Sequence, residues 1–282
     1  MKLLSKLNLA ILVGIMMFAS CKKEEIVQET NNYYTAPSES TPANMKLLKE
    51  YGASDSTMKL TFTYYNGEKY KLNELKIING GVAQQKFIIN YDGSANPESY
   101  QIYSLPANTL DDQGTYEVDL NNNITKVITR NNLGDTTGIY SFTYILVGRE
   151  YKVASINYFS QSVGDILYYD YFEYDQRGFM TKVTGYDNRG ANLYKSIITE
   201  FTPSNVVNSL PNLKNYLLTA SRPNLGSTAA LYFSSYMPSI ARTEFYNSSG
   251  DVTDVEFTEF NMQADADNNI TSLVDLGIYF KY

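Results

Sequence analysis

The chain has no histidine and no tryptophan among its 282 residues, and it has one cysteine, Cys21. Without histidine, neither a Ser-His-Asp nor a Cys-His nucleophile can form, and no zinc or iron site can use imidazole ligands. A single cysteine also excludes an internal disulfide. The chemistry that remains is that of carboxylates, in glycosidase-type acid pairs or calcium sites, together with binding that involves no reaction. No cofactor is expected.

The sequence also lacks a basic region and a long apolar run. Its net charge is −7, and no window concentrates Lys and Arg, so a nucleic-acid partner is not expected. The only extended apolar run, Leu9 to Ala19, covers roughly eleven residues after Lys2 and Lys6. A bilayer-spanning helix needs ~20 residues. Residues 1–20 are therefore predicted to be an export signal peptide.

The residues that end this signal, Phe18-Ala19-Ser20-Cys21, resemble the lipobox of bacterial lipoproteins. The resemblance implies that Cys21 becomes the mature N-terminus and carries diacylglycerol and palmitate chains, which hold the protein on the outer membrane. Several acyl chains give firm membrane binding where one gives only marginal binding. The alternative is an ordinary secretory signal with a chance cysteine.

Residues 21–44 are predicted to be a lipidated, disordered tether, because they are rich in Ser, Thr, Pro and Asn and too polar to form a core. Lys22-Lys23-Glu24-Glu25 resembles the surface-export signal of Bacteroidota lipoproteins, which implies that the protein faces the cell exterior. The alternatives are the periplasmic face of the membrane and a plain charged spacer.

Residues 45–282 are predicted to form a single β-rich domain, with a possible sub-boundary near 203–228. The chain contains 26 Tyr and 13 Phe, which favour half-buried strand surfaces.

A short turn element recurs through this domain: Asp or Asn, two variable residues, then Gly or Asn. An Asp or Asn at the first position of a type I turn caps the backbone two residues later, and the fourth position is left-handed, which Gly and Asn tolerate best. The element occurs at Asp119 to Asn122, Asn131 to Gly134, Asp175 to Gly178, Asp187 to Gly190, Asn247 to Gly250 and Asp265 to Asn268.

Turns every 12 to 16 residues, with alternating residues between them, predict an antiparallel meander of hairpins. The sequence therefore predicts an all-β fold in one large curved sheet or two sub-sheets. Residues 204–218 have helical spacing and predict one short helical segment, limited by Pro211. Strands are predicted to resume at 229–233 and to close the chain as one strand over 270–282.

The segment Tyr174-Asp175-x-x-Gly178-x-Met180-Thr181-x-Val183 resembles one unit of the YD repeat of Rhs-type shell proteins. The lipobox, tether, YD-like hairpins, interrupting segment and closing Asp-x-Asp-Asn-Asn-Ile-Thr strand together resemble a family of Bacteroidota lipoproteins of unknown function. That resemblance implies a β-rich exported domain and no particular activity.

The acidic turn residues have two interpretations, turn caps or ligand-binding carboxylates. Asp175 and Asp187 should lie at opposite ends of one strand, about 20 Å apart at ~3.3 Å per residue, which is too far for a glycosidase pair. Asp265, Asp267 and Asn269 have the first three spacings of a calcium loop, but Ile270 and Leu276 stand where Gly and Glu are expected, so this is a weak candidate.

The most aromatic run, Tyr168 to Tyr174, places Tyr168, Asp170, Phe172 and Tyr174 on one face and Tyr169, Tyr171 and Glu173 on the other. It predicts a strand packed on both sides, or a tyrosine row that binds sugar or peptide. We expect a lipid-anchored binding or structural module for a glycan or a surface protein, and no enzyme. The alternative is a carboxylate-dependent glycan hydrolase.

Overall fold

The computed structural model describes residues 45–53, 57–65, 71–188, 193–210 and 229–282. Within these ranges the chain forms one antiparallel sheet of 17 strands and one short helix, α1, Ala229–Phe233. The predicted all-β meander is confirmed. In chain order the strands are β1 Glu50–Ala53, β2 Lys59–Tyr64, β3 Leu72–Asn79, β4 Val82–Tyr91, β5 Pro97–Ser104, β6 Thr109–Val118, β7 Ile124–Asn131, β8 Thr136–Val147, β9 Glu150–Ser160, β10 Asp165–Tyr174, β11 Met180–Asn188, β12 Leu193–Val207, β13 Tyr236–Tyr246, β14 Val252–Glu259, β15 Met262–Ala264, β16 Ile270–Leu273 and β17 Ile278–Lys281.

The order of the strands in the sheet follows the chain, except that β1 lies between β2 and β17. Each strand from β1 to β13 pairs with the next, while β1 also pairs with β17, and β15 pairs with β16 and β16 with β17. The first and last strands therefore lie side by side in the middle of the sheet. Its two ends are β14 and β15, which only Phe260 and Asn261 separate in the chain. No ladder joins these two strands in the described ranges, and the sheet is not closed.

The sheet is continuous across the predicted sub-boundary, because β12 and β13 pair from Ile197 and Phe245 to Val207 and Tyr236. The alternative of two sub-sheets is therefore wrong. The core lies against one face of this sheet, which we call the inner face. Its buried members include Leu75, Phe87, Val127, Phe142, Ile156, Phe172 and Val183.

Helix α1 covers part of the inner face. The ring of Phe233 lies 5.4 Å from that of Phe172 on β10. The buried side chain of Asn208, just after β12, donates to the carbonyls of Leu231 and Ser234 at 2.7 and 2.9 Å. These bonds satisfy backbone carbonyls at the C-terminal end of α1 and fix the helix to the sheet.

Two sequence predictions near this helix differ from the structure. Residues 229–233 were predicted as a strand but form α1; Ala and Leu are strong helix formers, and an apolar run of five residues is too short for its periodicity to distinguish helix from strand. The helical segment predicted over 204–218 begins as strand, because β12 continues to Val207. Val206 and Val207 are β-branched, which favours strand. Residues 211–218 lie outside the described ranges.

The C-terminal strand predicted over 270–282 is two strands, β16 and β17. The amide of Gly277 donates to the carbonyl of Val274 at 3.0 Å, and Gly277 has a φ of 59°. This is a tight turn that needs a left-handed residue, and Gly supplies it. The alternating apolar residues on both sides concealed the turn in the sequence.

Candidate functional site

The repeated turns share one set of hydrogen bonds. In each, a side-chain oxygen of the first residue accepts the amides two and four residues later, at 2.8 to 3.0 Å. The fourth residue has a positive φ, from 60° at Ala95 to 91° at Gly134. The first residues of these turns are Asp92, Asp119, Asn131, Asp175, Asn247 and Asp265, and the fourth are Ala95, Asn122, Gly134, Gly178, Gly250 and Asn268.

In five of these six turns, Asp265 with Asn269 included, the fifth residue complements the first, and four such pairs show a side-chain hydrogen bond between the two. Where the first residue is Asp the fifth is Asn, as in Asp119 and Asn123, and where the first is Asn the fifth is Asp, as in Asn131 and Asp135. An amide therefore always faces a carboxylate, at 3.1 Å in both cases. The other two such pairs are Asp92 with Asn96 and Asn247 with Asp251. The sequence shows this complementarity, but the four-residue pattern did not include it.

The turn at Asp175 has Phe179 in the fifth place, and Phe179 has no polar side chain. The second carboxylate oxygen of Asp175 therefore has a different partner. The Arg177 side chain donates to Oδ2 of Asp175 from Nε at 2.7 Å and from Nη2 at 2.6 Å. The carboxylate of Asp175 and the guanidinium of Arg177 thus bind each other inside the turn. Asp187, the first residue of another predicted turn, pairs with Tyr168 and Tyr194 within the sheet. Gly190 lies outside the described residues.

Five tyrosines have a structural role that the sequence did not reveal, and two of them, Tyr91 and Tyr174, directly precede one of these turns. The hydroxyl of each donates to a backbone carbonyl of an earlier segment, at 2.6 to 2.8 Å. The pairs are Tyr64 with Leu48, Tyr91 with Leu72, Tyr144 with Ile124, Tyr174 with Val153 and Tyr282 with Ile270. Burial raises the pKa of the hydroxyls of Tyr64, Tyr144, Tyr174 and Tyr282, to about 12 at Tyr282, so these four remain donors.

The weak calcium candidate is bound to a lysine. The ammonium of Lys46 lies 2.8 Å from Oδ2 of Asp265 and 2.8 Å from Oδ2 of Asp267. The amide of Lys46 donates to Oδ1 of Asn269 at 3.0 Å. The hydrogen bond from Lys46 lowers the pKa of Asp265. In the described part of the chain, no group of three Asp, Glu, His or Cys side chains could hold a metal ion.

A different cluster lies on the inner face, where three tyrosines form a row. Directly paired residues of neighbouring strands lie on the same face, and Tyr140 pairs with Tyr158, and Tyr158 with Tyr168. All three side chains are half-buried. The rings of Tyr140 and Tyr158 are 4.6 Å apart between centroids, with planes inclined by 31°. We call Tyr140, Tyr158 and Tyr168 the tyrosine row.

Two glycines allow tyrosine rings to lie flat against the inner face. A Cβ at Gly138 would lie 2.5 Å from the ring of Tyr158, and one at Gly114 would lie 2.3 Å from that of Tyr100. An isolated glycine inside a strand is the sequence signal of such a close approach. Gly114 and Gly138 both carry that signal.

Carboxylates also lie on the inner face. Asp112, on β6 and two strands from the tyrosine row, accepts a hydrogen bond from the hydroxyl of Tyr100 at 3.0 Å, and burial raises the pKa of Asp112 to about 6. Beside the row, Asp187 pairs with Tyr168, and Asp170 pairs with Gly185. Asp170 is fully buried. Asp170 and Asp187 are diagonal neighbours on β10 and β11, and the Cα atoms of such neighbours are about 7–8 Å apart.

The residues of the aromatic run over 168–174 therefore have different structural roles. Phe172 is in the core, Tyr174 binds a backbone carbonyl, and Tyr168 joins the row. Tyr171 points to the opposite face and is 43% exposed. The prediction of a strand packed on both sides holds only for its inner face.

Comparisons with known proteins found distant structural likenesses only. No family model matches the chain, and no curated protein matches it. A porin-like protein from Bacteroides uniformis ATCC 8492 aligns over 83% of this chain and 90% of its own, at 12% identity and a TM-score of 0.48. A porin-like protein from Bacteroides vulgatus ATCC 8482 aligns over 84% and 98%, at 11% identity and a TM-score of 0.41.

The TcdB2-TccC3-Cdc42 complex aligns over 76% of this chain and 12% of its own, at 14% identity and a TM-score of 0.30. At these identities and scores, no conclusion on activity, ligand or location follows from the three likenesses. Within the described ranges, no helix is both long and apolar enough to cross a membrane.

Proposed function

We propose that this chain is a binding module for a polyhydroxylated ligand, a glycan, which the tyrosine row and the carboxylates beside it bind on the inner face of the sheet. The observation that supports it is the juxtaposition of the half-buried rings of the tyrosine row with Asp187, which pairs with Tyr168. Aromatic faces stack on the apolar faces of sugars, and carboxylates accept hydrogen bonds from hydroxyl groups. No reaction is needed for this role.

The proposal includes the location that the sequence indicates, an outer-membrane lipoprotein anchored through Cys21 and facing the cell exterior. The lipobox resemblance supports it, and Cys21 lies outside the described residues. Cys21→Ala should move the protein from the membrane fraction to the soluble fraction. Retention of that variant in membranes would contradict the anchor.

Binding is tested by screening the protein against a glycan array and titrating any retained glycan calorimetrically. Tyr140→Ala and Tyr168→Ala should each weaken binding about five- to tenfold, as expected for the loss of one stacked ring. Tyr171→Ala, on the opposite face, is the matched control and should bind normally. A chain that retains no glycan, or variants that bind as tightly as the wild type, would refute the proposal.

A second candidate is a carboxylate-dependent glycan hydrolase, and the pair Asp170 and Asp187 favours it. Glycosidases use two carboxyl groups about 5 to 9.5 Å apart in different environments. Here one carboxylate is fully buried and its diagonal neighbour is partly exposed. The pair lies beside the tyrosine row, where a bound glycan would be placed.

Release of reducing ends from a bound glycan distinguishes the two functions. A hydrolase should lose turnover by at least about a thousandfold in Asp187→Asn while it retains glycan binding. The binding module should release no reducing ends in the wild type, and Asp187→Asn should change only its affinity.

A further inference from the structure

The strand β14 has one open edge. Along its other edge it pairs with β13, from Val252 opposite Tyr246 to Glu259 opposite Ile240. Two residues later the chain becomes β15, which pairs with β16 instead. Among the residues that the structure describes, no strand pairs with the second edge of β14. Its side chains are exposed over most of its length.

Two backbone hydrogen bonds fix which groups lie at this edge. The amide of Phe260 donates to Ser239 on the β13 side, and the carbonyl of Asn261 accepts the amide of Val274 on the opposite side. Because the direction of the backbone groups alternates along a strand, those of Val255, Phe257 and Glu259 point to the open edge. Only the amide of Val255 has an acceptor there, Oδ1 of Asp254 at 2.8 Å.

The space beside the open edge of β14 lies in line with β16, which pairs with β15. β16 ends at Leu273, and the chain then turns away through Gly277 into β17. A segment added antiparallel to β14 would therefore run in the same direction as β16, beyond Val274. It would extend the existing sheet by one strand without displacing any described strand.

The open edge is acidic and partly apolar. Residues 247–261 contain Asp251, Asp254, Glu256 and Glu259 and no Lys or Arg. Phe257 is 61% exposed on the outer face. If two copies of β14 paired with each other, two acidic strands would lie side by side, and the repulsion between their carboxylates would oppose the pairing. A segment with Lys or Arg would instead face opposite charges.

We propose that the open edge of β14 binds an extended polypeptide segment rich in Lys or Arg, by addition of a strand to the sheet. The backbone groups of Phe257 and Glu259 provide the hydrogen bonds, as in other cases of β-strand addition. The acidic side chains select basic residues, and Phe257 packs against one apolar residue of the segment on the outer face. This surface is separate from the tyrosine row and does not depend on glycan binding.

The test uses the full-length chain and two eight-residue synthetic peptides with blocked ends, one alternating Lys and Val, the other Glu and Val. Fluorescence anisotropy should show binding of the Lys peptide, weakened by 0.5 M salt, and at least about tenfold weaker binding of the Glu peptide. Equal affinity for the two peptides, or no binding of either, would overturn the proposal.

A matched pair of variants separates backbone pairing from side-chain contact. Phe257→Pro removes an amide at the open edge and leaves the β13 ladder intact, so affinity for the Lys peptide should fall about tenfold beyond that of Phe257→Ala, which keeps the amide. Circular dichroism verifies that both variants fold. Equal affinity of the two variants would refute strand addition, as would a dimer by sedimentation that Phe257→Pro dissociates.

Discussion

The hydroxyl of Tyr174 donates a hydrogen bond to the carbonyl of Val153, at a distance of 2.8 Å and 21 residues earlier in the chain. Tyr174→Phe should lower the free energy of unfolding by about 1–2 kcal/mol, because it leaves a carbonyl at the core without its donor. Urea denaturation measures the change. Tyr171→Phe, whose ring is 43% exposed, should unfold like the wild type. Equal stability of both variants would show that the bond contributes nothing.

The ring of Tyr158 requires a glycine beneath it. Gly138→Ala would place a Cβ 2.5 Å from that ring, so we expect a loss of about 1–3 kcal/mol in unfolding free energy as the ring is displaced. Gly93→Ala is the control, since a Cβ there meets nothing within 4 Å. A Gly138→Ala protein as stable as the control would indicate that the row adjusts without strain.

In the turns, the paired Asp and Asn should tolerate substitution by each other only when both are substituted together. Asn123→Asp puts a second carboxylate against Asp119 and should cost about 1 kcal/mol or more. Adding Asp119→Asn recreates the order seen at Asn131 and Asp135 and should restore most of the stability. Chemical denaturation of the two single variants and the double variant gives the coupling energy. A double variant whose loss equals the sum of the single losses would argue against pairing.

Glu50 links three strands, because it accepts hydrogen bonds from Lys59 at 2.8 Å, Lys281 at 2.7 Å and Tyr279 at 3.1 Å. Lys281 and Lys59 lower the pKa of Glu50 from 4.5 to about 2. A lowered carboxyl pKa stabilises the fold above pH 4.5, and the stabilisation is lost as the pH falls towards 2.

Glu50→Gln should therefore destabilise the protein at pH 7 by on the order of 1 kcal/mol, and the difference should vanish near pH 2. Thermal unfolding across this range measures it. Glu117→Gln, half-exposed beside Lys126, is the control and should show little effect at any pH. A constant difference between pH 7 and pH 2 would mean that the carboxylate charge is not what stabilises the strands.

Asp112 should have the opposite pH dependence. Burial raises its pKa from 3.8 to about 6, so its contribution to stability is full below pH 3.8 and is lost as the pH rises through 6. Asp112→Asn removes that loss and should be more stable than the wild type at pH 7.5 by about 1–2 kcal/mol, with no gain at pH 4. The exposed control Glu98→Gln should follow the wild type at both values.

The sequence predicted the features that depend on neighbouring residues. A turn such as Asn131 to Gly134 is determined by its own side chains and its left-handed glycine, so the spacing of turns gave the meander and the approximate ends of its strands. The five-residue run at 229–233 and the turn at Gly277 were missed because alternation and burial look alike in short apolar segments.

The candidate site was hidden for a different reason. Tyr140, Tyr158 and Tyr168 come from three strands, and only the register of β8, β9 and β10 brings them together. The raised pKa of Asp112 comes from burial, which the residues next to Asp112 in the sequence do not show. Local spacing carries no information on such contacts, although Gly114 and Gly138 indicated that something approaches the backbone closely.

The position of β1 between β2 and β17 has a mechanical consequence. A tether attached to the N-terminal end of the domain pulls along β1, whose hydrogen bonds to both neighbours run across the direction of the force. They must then break together in shear rather than one after another as in a zipper. We expect the domain to resist extension from its N-terminus strongly.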